Sequence, residues 1–345
     1  MFTRLQTHKV LVGDVQIGHQ NKVVIQSMTN TKTSNVIPTI NQIKELVKHG
    51  AQLVRVAVLD QSDALALKQI TKLSPCPIIA DIHYNYRLAI IAIQNGVAKI
   101  RINPANIDLD HLQEIVKTAK AHQVAIRIGI NQGSKLNQRS FATPKAMINC
   151  ALKFIKLFEN WNFHAIIVSL KSSQPLLTNI LYQQAAQKIK YPLHLGVTEA
   201  GTLTNATIKN TIGLVPLLQK GIGDTIRVSI SDHPITEVVV AKKILSNLGL
   251  YKNIVNIIAC PTCGRLQWDL LTLLKQIETY TDVINLPLTI AVMGCAVNGI
   301  GECEHADIGV YGSRDKLFLY KKGKFITEID HKKVFDEIKK LINLF

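Results

Sequence analysis

The chain has 345 residues, 47% of them apolar and 19% charged, which excludes a disordered chain and leaves room for one large domain and a small one. Its net charge of +16 would suit nucleic acid, an acidic protein or a phosphorylated ligand, yet the lysines run along the whole length with no polybasic arm. MFTRLQTHKV at the start has no apolar signal core, and the longest apolar run, 286–297, is too short to cross a bilayer, so a cytoplasmic protein with reduced thiols is expected.

From residue 22 to about 230, short β-branched runs alternate with longer helical segments. The predicted strands are 22–28, 52–58, 77–81, 98–103, 124–130, 165–170, 192–197 and 225–230. The segment 37–50 shows the pattern between them. Pro38 suits a first helical turn, Ile43, Leu46 and Val47 share a face, and Gly50 stops the helix. Eight such units in succession predict a (β/α)8 TIM-type barrel of the α/β class, since a doubly wound sheet would want a Gly-rich first turn. Beyond 230 the rhythm changes: a helix at 234–248, a CxxC, further strands near 286–294 and 317–329, and a terminal helix near 331–343. The expected boundaries are a barrel at 1–249 and a small α/β domain at 250–345.

Active sites of such barrels lie at the C-terminal strand ends, and here those positions are polar. Arg55, Asp81, His83, Arg101, Asn103, Arg127, Asn131, Ser134, Ser169, Lys171, Thr198, Glu199, Arg227 and Ser229 all fall on or just after predicted strands. The chain has 31 lysines but only nine arginines, and four of the nine stand in these strands. One reading makes them partners of buried carboxylates, because an unmatched buried charge is costly. In the other, five cations (Arg55, Arg101, Arg127, Arg227, Lys171) face two acids (Asp81, Glu199), and pairing of Arg227 with Asp224 leaves a surplus of two for a phosphate or diphosphate. Glu199 is open as a general acid or an ion-pair partner, and His194 is expected to be structural.

Of six cysteines, Cys76 and Cys150 read as small buried apolar residues. The other four, Cys260, Cys263, Cys295 and Cys303, cluster in the tail, with Cys295 entering a Gly-containing turn. A thioredoxin-like dithiol would use the CxxC alone, and a radical-generating cluster would want CxxxCxxC. Spacing leaves two alternatives open: zinc on four thiolates, or an iron–sulfur cluster on three cysteines and another ligand.

The stretches ADIHYNYRLA, KIRINPANI, IRIGINQGS, YPLHLGVTEAGT, GIGDTIRVSI, ACPTCGR and AVMGCAVNGIGE resemble, in that order, the 4-hydroxy-3-methylbut-2-enyl diphosphate synthases of isoprenoid precursor synthesis, in their short bacterial two-domain form. The resemblance implies a barrel followed by a small α/β iron–sulfur domain, with a [4Fe–4S] cluster on Cys260, Cys263, Cys295 and Glu302. It implies reductive ring opening of 2-C-methyl-D-erythritol 2,4-cyclodiphosphate, electrons from flavodoxin or ferredoxin, and a homodimer, with no nucleic-acid or membrane partner. By the same resemblance Arg55, Arg101, Arg127 and Lys171 clamp the diphosphate, with Asn131 and Ser134 nearby. Asp81, His83, Asn103 and Glu199 face the hydroxyls, Glu199 as proton donor. Two positions depart from the family pattern: Ile300 stands where proline is usual, and Cys303 where alanine is usual. Cys303 is then either a small-for-small exchange or a substitute for Glu302 on the fourth iron.

Overall fold

The computed structural model describes residues 3–83, 85–132, 135–136, 139–140 and 143–345, which form two compact units dividing after Leu250. The first unit opens with a hairpin of β1 (Val10–Val12) and β2 (Val15–Ile17), turned at Gly13 with φ +60°. Then follow β3 (Val24–Met28), α1 (Val36–Lys48), β4 (Leu53–Val58), α2 (Gln61–Leu73), β5 (Ile78–Ile82), α3 (Tyr86–Gln94), β6 (Lys99–Ile102), α4 (Leu109–Ala121) and β7 (Ala125–Asn131). A short antiparallel pair, β8 (Lys135–Leu136) and β9 (Arg139–Ser140), leads to α5 (Pro144–Asn160), β10 (Ile166–Lys171), α6 (Pro175–Lys188), β11 (His194–Leu195), α7 (Leu203–Gln219), β12 (Thr225–Ile226) and α8 (Pro234–Asn247).

Eight parallel strands run in the order β10-β7-β6-β5-β4-β3-β12-β11, and a single bridge, Val168 to Leu193, joins the two ends. Helices cover the outside. In α1 the buried face is Thr39, Ile40, Ile43 and Leu46, and α5 starts at Pro144 with the Thr143 hydroxyl accepting from the Ala146 amide. Strands covered on both sides are apolar almost throughout, as β7 shows. At the N-terminal end of the barrel Val10, Val12 and Ile17 of the hairpin pack on Val24, Leu53, Ile79, Ala125 and Ile167, which makes an apolar floor. The polar strand residues therefore sit above a dry base.

The expected strands at 192–197 and 225–230 shrink to two residues each, His194–Leu195 and Thr225–Ile226. Side chains replace ladder bonds at this seam. The Tyr182 hydroxyl accepts from the Leu170 amide at 2.9 Å and donates to the His194 carbonyl at 2.6 Å, and the Asp224 carboxylate accepts from the Leu193 amide at 2.8 Å. Each otherwise orphaned backbone group thus finds a partner.

The second unit is a five-stranded sheet, β13 (Val255–Ala259), β14 (Leu288–Met293), β15 (Ile308–Gly312), β16 (Leu317–Lys321) and β17 (Lys324–Ile329), in that spatial order. The first three strands are parallel and the last two pairings antiparallel. Helices α9 (Leu270–Thr281) and α11 (Val334–Ile342) pack on one face through Leu273, Ile277, Ile338 and Ile342. The other face meets α10 (Ala296–His305) through Ala291, Met293, Cys303, Ala306 and Tyr311. The stretch expected as a Gly-containing turn is this helix.

Candidate active site

Residues two apart on a strand share a face, and in the barrel alternate residues point inward. Arg55, Asp81, Arg101 and Arg127 lie on four adjacent strands, with Asp81 paired in register with Arg101 and Arg101 with Arg127. Lys171 closes β10 beside Asn131. The structure brings these side chains together. The Asp81 carboxylate lies between two guanidiniums, 3.7 Å from Arg55 Nη1 and 3.4 Å from Arg101 Nη1. Arg101 Nη1 also stands 2.6 Å from His83 Nε2, on the half-exposed rim. Gly129 makes room for this, because a Cβ there would sit 2.5 Å from Arg101 Nε.

Arg127 is 1% exposed, and its Nε and Nη1 have no hydrogen-bond partner among the described residues. Arg101 Nε is likewise unpartnered. Lys171 is buried with no carboxylate within ion-pair distance among the described residues. Four cations thus share one carboxylate. Burial would push the Asp81 carboxyl up, but Arg55, the hydrogen bond to His83, then Arg101 and Arg127 hold it below the ordinary range. Burial lowers the Arg55 guanidinium to about 10 against the pull of Asp81, with Arg227 and Arg101 adding to the fall. Burial, followed by neighbouring cations, also drives Arg127 and Lys171 well down. Arginine keeps its proton in proteins, so the fall at Arg127 reflects a charge buried among other cations.

The other expected residues divide. Asn103 is buried just past β6 and Asn131 half-buried at the end of β7, while Ser134 lies outside the described residues. Glu199 is exposed and lines an open cavity with Ser173, Gln174, Pro175, Leu176 and Lys209. Its φ of +54° is a strained setting for a glutamate, the kind found at functional sites. The expected Arg227–Asp224 pair does not form. Arg227 donates from Nε and Nη2 to Glu237 on α8, both at 3.2 Å, whereas Asp224 accepts from Arg4 and Thr7 near the chain start. Arg227 is therefore neutralised already by Glu237.

Lys99 was not among the expected site residues, yet it is fully buried two residues below Arg101, its ammonium 3.4 Å from Gln26 Oε1. The signal was present, since Lys99 and Arg101 are two apart in one strand. His194 is fully buried, with Nδ1 2.6 Å from Thr225 Oγ1 and Nε2 without a partner among the described residues. Burial first, and then Arg127, Lys171, Lys99 and Arg55, keep it neutral.

In the second unit β13 and β14 are parallel neighbours, so their C-terminal ends emerge side by side. Cys260 follows the first and Cys295 the second. The Gly294 amide donates to Cys260 Sγ at 3.2 Å, and Trp268 Nε1 fixes the Gly294 carbonyl at 3.0 Å. Cys295 is the N-cap residue of α10, where the open amides of the first turn favour negative charge. Glu302 lies seven residues on, close to the same azimuth of the helix after about two turns. Cys263 is exposed in the loop after Cys260. Cys303 is turned about 100° from Glu302 into the sheet and is fully buried against Met293, Ala306 and Tyr311. Burial, then the charges of Glu302 and Glu304, push its thiol up to about 12.

Among the described residues no three His, Cys, Asp or Glu side chains converge on a single ion. A zinc site of four thiolates would need Cys303, which faces the core. Cys260 and Cys295 at neighbouring strand ends, with an amide directed at the Cys260 sulfur, are chemically suited to an iron–sulfur cluster completed by Cys263 and a carboxylate.

Comparison with known proteins decides the family. Residues 7–242 match the GcpE TIM-barrel domain and residues 256–344 the GcpE protein C-terminal domain. The chain belongs to the GcpE family. It is similar to proteins named 4-hydroxy-3-methylbut-2-en-1-yl diphosphate synthase (flavodoxin) from Malacoplasma penetrans and Mycoplasmoides gallisepticum. The first is 50% identical, over 99% of this chain and 95% of that protein. The second is 48% identical, over 99% and 96%. Among solved structures, a dihydropteroate synthase from Xanthomonas albilineans aligns with a TM-score of 0.53 at 9% identity, over 71% of this chain and 99% of that one. That likeness concerns the barrel fold alone. For this GcpE-family chain the fold expectation from sequence, a TIM-type barrel with a small second domain, holds.

Proposed function

We propose that the barrel binds the diphosphate of 2-C-methyl-D-erythritol 2,4-cyclodiphosphate and that the enzyme opens its ring reductively to 4-hydroxy-3-methylbut-2-enyl diphosphate. The chain is an oxidoreductase of isoprenoid precursor synthesis, in line with the names of relatives that match it end to end. The observation that carries the binding reading is the buried, unpartnered edge of Arg127 within a layer of four cations and one carboxylate. A diphosphate supplies the missing negative charge, and planar guanidiniums donate to its oxygens two at a time.

In this reading Arg55, Arg101, Arg127 and Lys171 hold the diphosphate, and Asn131 borders it. Asp81 stays ionised at neutral pH, so it orients a hydroxyl or a cation and gives up no proton. His83 and Asn103 complete the hydroxyl-facing side. Glu199 donates the proton to the departing oxygen, which needs a carboxyl exposed to the cavity and not locked into an ion pair. Cys260, Cys263, Cys295 and Glu302 hold a [4Fe–4S] cluster, which supplies electrons singly to the ring when bound. A flavodoxin or ferredoxin delivers them, and the working state is a homodimer in the cytoplasm. No helix among the described residues is long and apolar enough to cross a membrane.

The test is anaerobic reconstitution with iron and sulfide, followed by a product assay on the cyclic diphosphate with a reduced viologen. Formation of the allylic diphosphate supports the reading, and a reconstituted, reduced enzyme that leaves the cyclic diphosphate intact overturns it.

A further inference from the structure

The net charge is divided unevenly. Residues 251–345 hold 12 of the 40 Lys and Arg and 11 of the 24 Asp and Glu, which leaves 28 against 13 in the first 250. The second unit is thus almost neutral overall, yet one place on it is not. The β16–β17 hairpin reads Tyr-Lys-Lys-Gly-Lys-Phe from Tyr320 to Phe325, turned at Lys322 with φ +48° and Gly323 with φ +75°. None of its three lysines pairs with a carboxylate among the described residues, whereas Lys316 nearby pairs with Glu328. Lys321 and Lys322 hold their ammonium groups 5.6 and 5.2 Å from the Phe345 ring centroid instead.

The same hairpin ends a file of rings. Tyr311 packs in the buried group with Cys303 and Met293, against which Cys260 also lies. Its ring is 5.0 Å from Phe318 and 5.8 Å from Tyr320, and these stand 6.4 and 5.7 Å from Phe325. Phe325 is 52% exposed on the outermost strand, with Ile326 46% exposed beside it. One sheet face therefore carries α10 with its candidate ligands at one side and the exposed Phe325 at the other, where the strand pair turns through Lys321, Lys322 and Lys324. Lysines alone would be enough to protect an edge strand from pairing. They do not account for a large exposed ring beside them, since an apolar centre with charged residues at its border marks an interface.

We propose that the Tyr320–Phe325 hairpin is the docking surface for the acidic single-electron carrier protein that feeds this enzyme. This rests on the reductive reading above. Two reduced carriers dock in turn, and each leaves oxidised by one electron. The two electrons, with two protons, break one ring C–O bond and release one water per cyclic diphosphate. The lysines attract the acidic carrier and set the encounter rate, and Phe325 with Ile326 forms the dry contact.

The test uses the full-length holoenzyme and an oxidised bacterial flavodoxin in calorimetric titrations at low and physiological salt. With Lys321→Glu, Lys322→Glu and Lys324→Glu combined, the expected result is a Kd raised at least about tenfold and a flatter salt dependence. Flavodoxin-driven turnover falls in step, while viologen-driven turnover is unchanged. The variant combining Lys321→Gln, Lys322→Gln and Lys324→Gln should show a smaller rise in Kd, and an unchanged cluster absorbance in both variants checks that the fold is kept. An unchanged flavodoxin Kd overturns the docking surface, and so does a change in oligomeric state by light scattering, which would make the hairpin a contact between copies. Failure of the viologen assay in the wild type strikes the reductive reading instead, and the titration still decides the surface.

Discussion

Lys171 ends β10 with its ammonium buried and no carboxylate to match it among the described residues. Such a charge stabilises a bound anion and destabilises the chain that waits for one. Its folded pKa lies below the ordinary lysine value of about 10.4. Between the two values the unfolded chain holds the extra proton, so stability rises as the pH climbs through that window. Lys171→Met should raise the unfolding free energy of the ligand-free protein by about 1–3 kcal/mol at neutral pH and flatten the alkaline rise. It should also abolish the stabilisation by pyrophosphate seen in the wild type. A variant less stable than the wild type, or still protected by pyrophosphate, would remove Lys171 from the anion site. Cys303 makes the opposite case. It fills a core position on the sheet-facing side of α10, so Cys303→Ala should keep the full iron content after reconstitution and lose only about 1 kcal/mol of stability. Loss of iron in that variant would make Cys303 a ligand after all.

Helix α10 holds two candidate ligands, Cys295 at its N-cap and Glu302 in its interior, so its seating on the sheet fixes the site. Gly299 permits that seating: a Cβ there would stand 2.5 Å from Tyr311 Cβ, an atom too close to the backbone to yield. Gly299→Ala gains about 1 kcal/mol of helix propensity but meets an overpacking cost of about 1–3 kcal/mol, and the clash should win. The expected outcome is a several-fold fall in reconstituted cluster absorbance with pyrophosphate binding by the barrel untouched; normal absorbance would show that α10 tolerates the shift. The sequence revealed this level unevenly. Barrel strands declared themselves through β-branched runs, and the cation layer through arginines scarce elsewhere in a lysine-rich chain. The opening hairpin was missed although Val10, Val12, Val15 and Ile17 alternate around Gly13–Asp14, a pattern with a turn mechanism behind it. Arg227 was matched to Asp224 by nearness along the chain. Residues three apart on a strand face opposite ways, and its partner Glu237 is reached only once α8 has folded back. The seam between β10 and β11 was illegible, because it depends on a tyrosine hydroxyl from a helix.

At the scale of the molecule, two units each bury a core whose residues all come from their own half of the chain. The first carries buried cations with a single carboxylate among them, and the second carries Cys260 and Cys295 at the ends of adjacent strands. Each ligand should therefore stabilise only the unit that carries its site. Calorimetry of the full chain should resolve two transitions. Pyrophosphate at about a hundred times its Kd contributes about 2.7 kcal/mol to the state that binds it. For a unit of this size each kcal/mol moves the midpoint by about 2–4 °C, so one transition should rise by about 5–10 °C and the other stay in place. Cluster reconstitution should shift the second transition and leave the first. Both ligands moving both transitions together would mean that the units unfold as one, and the cost of the buried cations would then be shared with the cluster unit and no longer confined to the barrel.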